Sequence, residues 1–312
     1  KIKTTAKVNN LTVSNSSIFI ILNPVAGSCK VELVRQILKY QCKMLGRNYA
    51  IYETTGTEHL PTIVDQALAE GYKTIAAAGG DGTASAVASQ LVRREIPLGI
   101  IPVGTANLLA RELNIPLELE AACQLVVRGG AIRRLDAMRM GDQVLISHIS
   151  MGAYSFIAER TSITAKRYFR QLAYIWNGLV ELIGTRTWRF NLIVDGRKQR
   201  VKAAFIMIAN VGAMGAYSLR WGADVKPDDG EIDICIVRAQ TLSHYISFMW
   251  HILRQRHKQF SHVSYMRAKE YIKVSTKKDV PVRGDGEVIG RSVAEIQIIP
   301  SAIQVIVPGK AN

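Results

Sequence analysis

Ala78-Gly79-Gly80-Asp81-Gly82-Thr83-Ala84-Ser85 stands where an apolar run, Thr74-Ile75-Ala76-Ala77-Ala78, gives way to a helical pattern over Ala84 to Arg94. Three glycines at a strand-to-helix junction permit positive φ and leave no side chain in the path of an approaching ligand. The helix that follows offers unpaired N–H groups and a positive dipole end, which together attract anions. Asp81 brings a carboxylate into that setting. It can orient a lysine, hold a metal through water or act as a base. The segment is not a G-x-x-x-x-G-K-[ST] loop. It runs Gly80-x-Gly82-x-x-Ser85, so it is not a complete dinucleotide fingerprint either. A plain tight turn would use the same glycines.

The same alternation repeats outward from this junction. Ser17 to Leu22 reads as a buried strand that ends at Asn23-Pro24, and Val31 to Leu45 carries apolar residues at helical spacing. Tyr49 to Tyr52 reads as a strand and His59 to Glu70 as a helix, with Pro61 in its first turn. Leu98 to Pro102 is a further strand, followed by a helix near Ala106 to Leu113. Strand and helix in alternation predict an α/β domain with a mostly parallel sheet.

Beyond about Arg134 the pattern changes. Leu135 to Met140, Gln143 to Ser150, Arg189 to Val194, Val201 to Ala209 and Ile232 to Val237 read as strands. Lys269 to Ser275, Val280 to Arg283, Ala294 to Ile299 and Ala302 to Val307 continue the series. Asp195-Gly196 between two such runs is a hairpin signal. Two helical interruptions fall at about Thr161 to Gly184 and Leu242 to Phe260. Together these predict a second domain of antiparallel strands.

The chain has 312 residues, 48% hydrophobic and 21% charged, which is a globular composition with ample core material for two domains. No run of about 18 apolar residues is present, so no transmembrane helix is expected. The start from Lys1 to Ser17 lacks the apolar centre of a secretory signal, and Lys1 in place of Met fits a trimmed or processed chain. Cys29, Cys42, Cys123 and Cys235 form no C-x-x-C pair, which argues against zinc or a disulfide framework and for a reducing cytoplasm.

The net charge of +15 favours phosphate-bearing partners, although general solubility also uses such charge. Its placement is more telling. Thr241 to Lys269 holds five Lys/Arg, four His and no acid, and Arg160 to Arg189 holds six Lys/Arg against Glu181 alone. No base-reading module is present, so nucleic acid is not the expected partner.

Two further turns follow strands: Asn23-Pro24-Val25-Ala26-Gly27-Ser28, and Pro102-Val103-Gly104-Thr105-Ala106-Asn107. Thr105 and Asn107 can bond ligand oxygens or simply cap the next helix. Ligands of open α/β sheets bind beyond the carboxyl ends of the strands. Three polar, glycine-bearing turns at that edge favour one shared nucleotide site over three separate turns.

Asn23-Pro-x-x-Gly27, Gly79-Gly-Asp-Gly-Thr83 and Gly104-Thr-x-Asn107 resemble, in order and spacing, the diacylglycerol kinase catalytic family. That superfamily also holds the sphingosine kinases and the YegS-like bacterial lipid kinases. Asn210-Val-Gly-Ala-Met-Gly215, Lys226-Pro-Asp-Asp-Gly230 and Gly284-Asp285-Gly286-Glu287 look like later motifs of the same family. The similarity runs from about Ile18 to Pro308.

The resemblance implies a three-layer α/β ATP-binding domain over 1–134 and a β-sandwich lipid-substrate domain over 135–299. The returning segment 300–312 would rejoin the first domain. It implies ATP at Gly79, Gly80, Asp81, Gly82, Thr83, Ala84 and Ser85, with Asn23, Thr105 and Asn107, and with Thr54 or Thr55 as a further contact. It also implies Mg2+ at Lys226, Asp229 and Glu231, in part through main-chain carbonyls; oxygen-only ligation suits that ion. Glu287 is the first candidate for the base that takes the proton of a lipid hydroxyl, Asp285 the second. Asp81 is the third, because the sphingosine-kinase branch uses the equivalent acid. Leu108 stands where many relatives carry a second acid, and His148 reads as a core or polar-network histidine rather than a catalytic one.

The function expected is therefore ATP-dependent phosphorylation of a lipid alcohol in phospholipid biosynthesis, by a cytoplasmic enzyme in peripheral contact with an anionic membrane. Tyr245 to Leu253 followed by Arg254, Arg256 and Lys258 is one candidate interfacial helix. The stretch with Lys166, Arg167, Tyr168, Arg170 and Trp176 is another. Both helices could instead pack on the protein with their cations solvated. The rival readings are an NAD kinase, which shares the Gly-Gly-Asp-Gly-Thr loop, and a catalytically silent nucleotide- or lipid-binding module. The oligomeric state is not legible; a homodimer is compatible with the sequence.

Overall fold

The structure is a computed structural model. It describes residues 17–27, 31–153, 155, 187–213, 220, 224–238, 241, 243, 244, 247, 250, 251, 254, 260–285 and 287–309. The chain divides into two compact units, Lys1–Leu135 with Ser301–Asn312, and Asp136–Pro300.

In the first unit β1 (Ile18–Leu22), β2 (Tyr49–Glu53), β3 (Thr74–Gly79) and β4 (Leu98–Pro102) run parallel in the order β2-β1-β3-β4. β1, β3 and β4 are buried at every position, which is why they read as unbroken apolar runs. The helices are α1 (Val31–Met44), α2 (Leu60–Ala69), α3 (Asp81–Ser89), α4 (Leu108–Glu112) and α5 (Leu119–Arg128). Val34 and Leu38 of α1 join Cys123 and Val126 of α5 in one core with Ile20 and Leu22. The strand order changes sense between β1 and β3. In such sheets the crevice for ligands opens beyond the carboxyl ends of those two strands.

Two boundaries differ from the sequence reading. α3 begins at Asp81, with Gly80 as its extended N-cap, so the glycine loop is half helix. α4 begins only at Leu108, because Asn107 takes a left-handed conformation at φ 51°. α5 was not expected at all. Its N-cap is Glu118, whose carboxylate accepts the N–H groups of Glu120 (2.9 Å) and Ala121 (2.7 Å).

β5 (Ala131–Met140) crosses from the first unit into the second at Leu135/Asp136, and the second unit continues with β6 (Gln143–Leu145), β7 (His148–Gly152), β8 (Trp188–Val194), β9 (Arg197–Ala203) and β10 (Phe205–Ala209). β11 (Ile232–Val237), β12 (Val263–Ala268), β13 (Tyr271–Thr276), β14 (Pro281–Gly284), β15 (Glu287–Arg291) and β16 (Val293–Val307) complete it. The last seven residues of β16 return to the first unit, where Val305 pairs with Leu98 in parallel.

One layer of the second unit runs β16-β13-β8-β9; the other runs β12-β11-β10-β7-β14-β15, antiparallel throughout. Phe190, Leu192 and Val194 meet Ile206, Ile208, Ile234 and Val282 in the core between them. Each such side chain contributes about 1.5–3 kcal/mol by leaving water. The segment expected as one strand over Val201 to Ala209 is two strands in different layers, separated at Ala204. β12 and β15 were not expected. The expected helix over Thr161 to Gly184 lies outside the described residues, as does most of that over Leu242 to Phe260.

Candidate functional site

Three turns close on each other at the carboxyl edge of the first unit's sheet. Asn23 Nδ2 donates to Thr83 Oγ1 at 3.2 Å, tying the end of β1 to the first turn of α3. Asn23 Oδ1 accepts the N–H of Val25 at 3.1 Å, which fixes the Asn-Pro turn. A Cβ on Gly104 would stand 2.4 Å from Gly80 Cα, and one on Gly27 would stand 2.6 Å from the Val103 carbonyl oxygen. Both contacts are with backbone, so no side chain can be accommodated there. A Cβ on Gly79 would meet Thr83 at 2.4 Å, whereas one on Gly82 would meet nothing within 4 Å.

The remaining groups shape this edge. Asn107 Oδ1 accepts the Gly104 N–H at 3.0 Å and Nδ2 donates to the Gly104 carbonyl at 2.9 Å, which closes the third turn on itself. Asp81 Oδ1 accepts the N–H of Leu109 at 3.1 Å, so this carboxylate caps α4 from the start of α3. Thr105 is exposed, and the Ser85 hydroxyl is buried without a hydrogen-bond partner. Thr54 donates its N–H to Leu22 O at 2.9 Å. The next turn is held by Glu58, which accepts from Thr55 N–H and, at 2.9 Å, from Gly56 N–H. Burial raises the Glu58 carboxyl, but these hydrogen bonds outweigh it and bring it down to about 2.

The second unit holds the late acids. Asp285 sits at φ 47° between β14 and β15, and its carboxylate accepts three backbone N–H groups: Ile146 (3.0 Å), Ser147 (3.0 Å) and His148 (2.9 Å). Glu287 opens β15 and is exposed. Asn210, 0% exposed, donates through Nδ2 to the carbonyls of Asp136 and Ile146, each at 2.8 Å. Asp136, 1% exposed, accepts the Gly230 N–H at 2.8 Å and donates its own N–H to Pro227 O at 2.7 Å. One buried network thus joins the Gly284–Glu287 turn to the Lys226–Glu231 turn. In the sequence Asn210 has no role beyond its motif and Asp136 is not marked as a site residue. The available signal was a lone acid inside the apolar run Leu135-Asp136-Ala137-Met138.

Residues 17–140 match the family model described as the diacylglycerol kinase catalytic domain. Residues 147–307 match the one described as the YegS C-terminal NAD kinase beta sandwich-like domain. The chain belongs to the YegS-like diacylglycerol kinase catalytic family. The chain is thus a lipid kinase at the level of that family. A protein named diacylglycerol kinase from Bacillus subtilis is 27% identical over 295 residues, covering 93% of this chain and 95% of the relative. An uncharacterized protein of Synechocystis is 28% identical over 303 residues, 93% of this chain and 70% of the relative. A crystal structure of a diacylglycerol kinase from Bacillus anthracis shares the fold with a TM-score of 0.75, at 22% identity over 94% of this chain and 97% of that one. Among the described residues no helix is long and apolar enough to cross a membrane.

A kinase of this family implies magnesium, and the Lys226–Glu231 turn can be tested for it. Asp229 is exposed and its Oδ1 accepts the Glu231 N–H at 3.1 Å. The Glu231 carboxylate meets Arg267 at 2.9 Å and Lys269 at 3.3 Å. Burial raises this carboxyl, but those two cations outweigh it and hold it below the usual range. Two facing cations disfavour a divalent ion at that side chain. The oxygen donors that fit are the Asp229 carboxylate and the main-chain carbonyls of Lys226 and Glu231. A set so small leaves several waters on the ion, as magnesium prefers. No cluster of three His, Cys, Asp or Glu side chains occurs among the described residues.

Proposed function

We propose that the chain transfers the γ-phosphoryl group of ATP to the hydroxyl of a lipid alcohol, of diacylglycerol type, at a membrane surface. The observation that carries this reading is the backbone-to-backbone closure of Gly27, Gly80 and Gly104 beside the N-terminus of α3, at the point where the strand order changes sense. Such an edge receives phosphate oxygens on main-chain N–H groups.

Phosphoryl transfer needs positioning and charge neutralisation more than covalent help from the protein. Asn23 and Thr83 hold the loop, and exposed Thr105 and the Thr54–Gly56 turn bound the nucleotide. Magnesium, when bound by Asp229 and the carbonyls of Lys226 and Glu231, supplies charge neutralisation. The acceptor hydroxyl loses its proton to Glu287, whose exposed carboxylate has free lone pairs. Asp285 is a positioning residue in this scheme, since its oxygens already accept three N–H groups. Asp81 is likewise committed in part, to the start of α4.

Labelled ATP incubated with a panel of extracted lipids, with NAD as a control acceptor, tests the reading. Label in the lipid fraction is the expected result. Label in NAD alone would mean an NAD kinase, and ATP binding without transfer to any acceptor would mean a silent module.

A further inference from the structure

The β8–β9 hairpin carries charge that the phosphate loop and the acidic turns leave unused. Along β8, Phe190, Leu192 and Val194 face the core, so Arg189, Asn191 and Ile193 face away from it. The register sets Lys202 opposite Arg189, Arg200 opposite Asn191 and Lys198 opposite Ile193, which puts four cations on one outer face. All four are exposed, and no described acid pairs with them. The one acid between Thr187 and Ala203 is Asp195. It sits in the turn, with its carboxylate taken by the N–H groups of Lys269 (2.8 Å), Glu270 (3.0 Å) and Tyr271 (2.9 Å).

Like charges directly opposite in a sheet disfavour pairing, as Arg189 and Lys202 must. Cations on an edge strand guard against edge-to-edge aggregation, and β9 is an edge among the described residues. That account does not reach Arg189. β8 is an inner strand of the layer, paired with β9 along its whole length and with β13 over residues 190–194, one residue short of Arg189. The repulsion is relieved when an anionic surface covers the face. A nucleic acid fits poorly: single strands need aromatic platforms, and both Phe190 and Trp188 pack on the core side.

We propose that this face docks the kinase onto an anionic lipid bilayer, with Arg189, Lys198, Arg200 and Lys202 meeting the phosphate-bearing headgroups. The inference rests on the reading that the acceptor is a membrane lipid, and it assigns the contact to strand residues of β8 and β9 rather than to the two stretches singled out in the sequence. Each cation near such a surface contributes about 1 kcal/mol. Replacing three therefore weakens binding on the order of 100-fold.

The test uses the full chain and the triple variant Lys198→Gln, Arg200→Gln, Lys202→Gln. Sedimentation is measured with vesicles of phosphatidylglycerol and phosphatidylcholine in equal parts, and of phosphatidylcholine alone. The unaltered chain should sediment with the anionic vesicles only and be released by salt, while the variant loses that binding. Loss of like-charge repulsion should leave its Tm equal or higher. Phosphate transfer to lipid dispersed in neutral detergent micelles should be unchanged in the variant. Unchanged vesicle binding by the variant overturns the docking face, as does loss of binding to single-stranded RNA in place of vesicles. Aggregation of the variant with vesicle binding intact does so too, and would assign the cations to edge protection. Absence of micellar transfer by the unaltered chain overturns the kinase reading instead, so the two failures are distinguishable.

Discussion

Asp285 and Glu287 stand two positions apart, and their surroundings separate their roles. The Asp285 carboxylate receives three N–H groups of the segment 146–148, and an asparagine there would turn an NH2 group toward those donors. Asp285→Asn should therefore lower stability by about 1–3 kcal/mol, read as a fall in Tm, with activity falling alongside it. Glu287 is exposed and opens a strand, so Glu287→Gln should leave Tm within the scatter expected of a surface change. Its kcat for lipid phosphorylation should fall on the order of 100-fold or more, as for loss of a general base. A Glu287→Gln enzyme with undiminished kcat would remove that residue from proton transfer. The resemblance to the family nominated both acids, but which one keeps free lone pairs depends on a segment about 140 positions away in the chain.

At the scale of elements, glycines that look alike in sequence do different things. Gly104 and Gly80 cross backbone to backbone, so Gly104→Ala should strain the crossing by roughly 1–3 kcal/mol and loosen ATP binding together with Tm. Gly82 lies in the first turn of α3 with open space around it. Gly82→Ala should hold or slightly raise Tm, since alanine favours helix. On the proposed reading it should still weaken ATP binding, because the added methyl would stand where phosphate oxygens approach. Isothermal titration with ATP beside thermal melts separates the two cases, and unchanged affinity in Gly82→Ala would show that no ligand needs that glycine. The alternation of strands with α1, α2 and α3 was legible because buried parallel strands are unbroken apolar runs. α5 escaped notice because Glu is an uncommon N-cap. β16 reads as two strands because Pro300 lacks an N–H, yet both halves are paired on either side of Ser301, which sits at φ 49°.

For the whole molecule, the cysteines report on the integrity of both units. Burial pushes the thiols of Cys42, Cys123 and Cys235 up to about 11, 12 and 12 respectively. All three are free and buried. Alkylation at pH 8 should spare these positions in the native protein and reach them only as denaturant unfolds each unit, which mass spectrometry of the labelled peptides would follow. Rapid native labelling of Cys42 or Cys123 would mean that the α1–α5 layer opens locally. The sequence by itself determined the class of fold, the two-unit order and the glycine-bearing turn after β3, because hydrophobic period and such turns are local properties of a chain. Only the tertiary structure decided which polar groups of those motifs keep free lone pairs. It also found Asp136 and Asn210 as the buried link between two acidic turns, and it gathered four cations on one face of a hairpin. Those outcomes depend on strand register and on hydrogen bonds between distant segments, and neither is written in the spacing of any single motif.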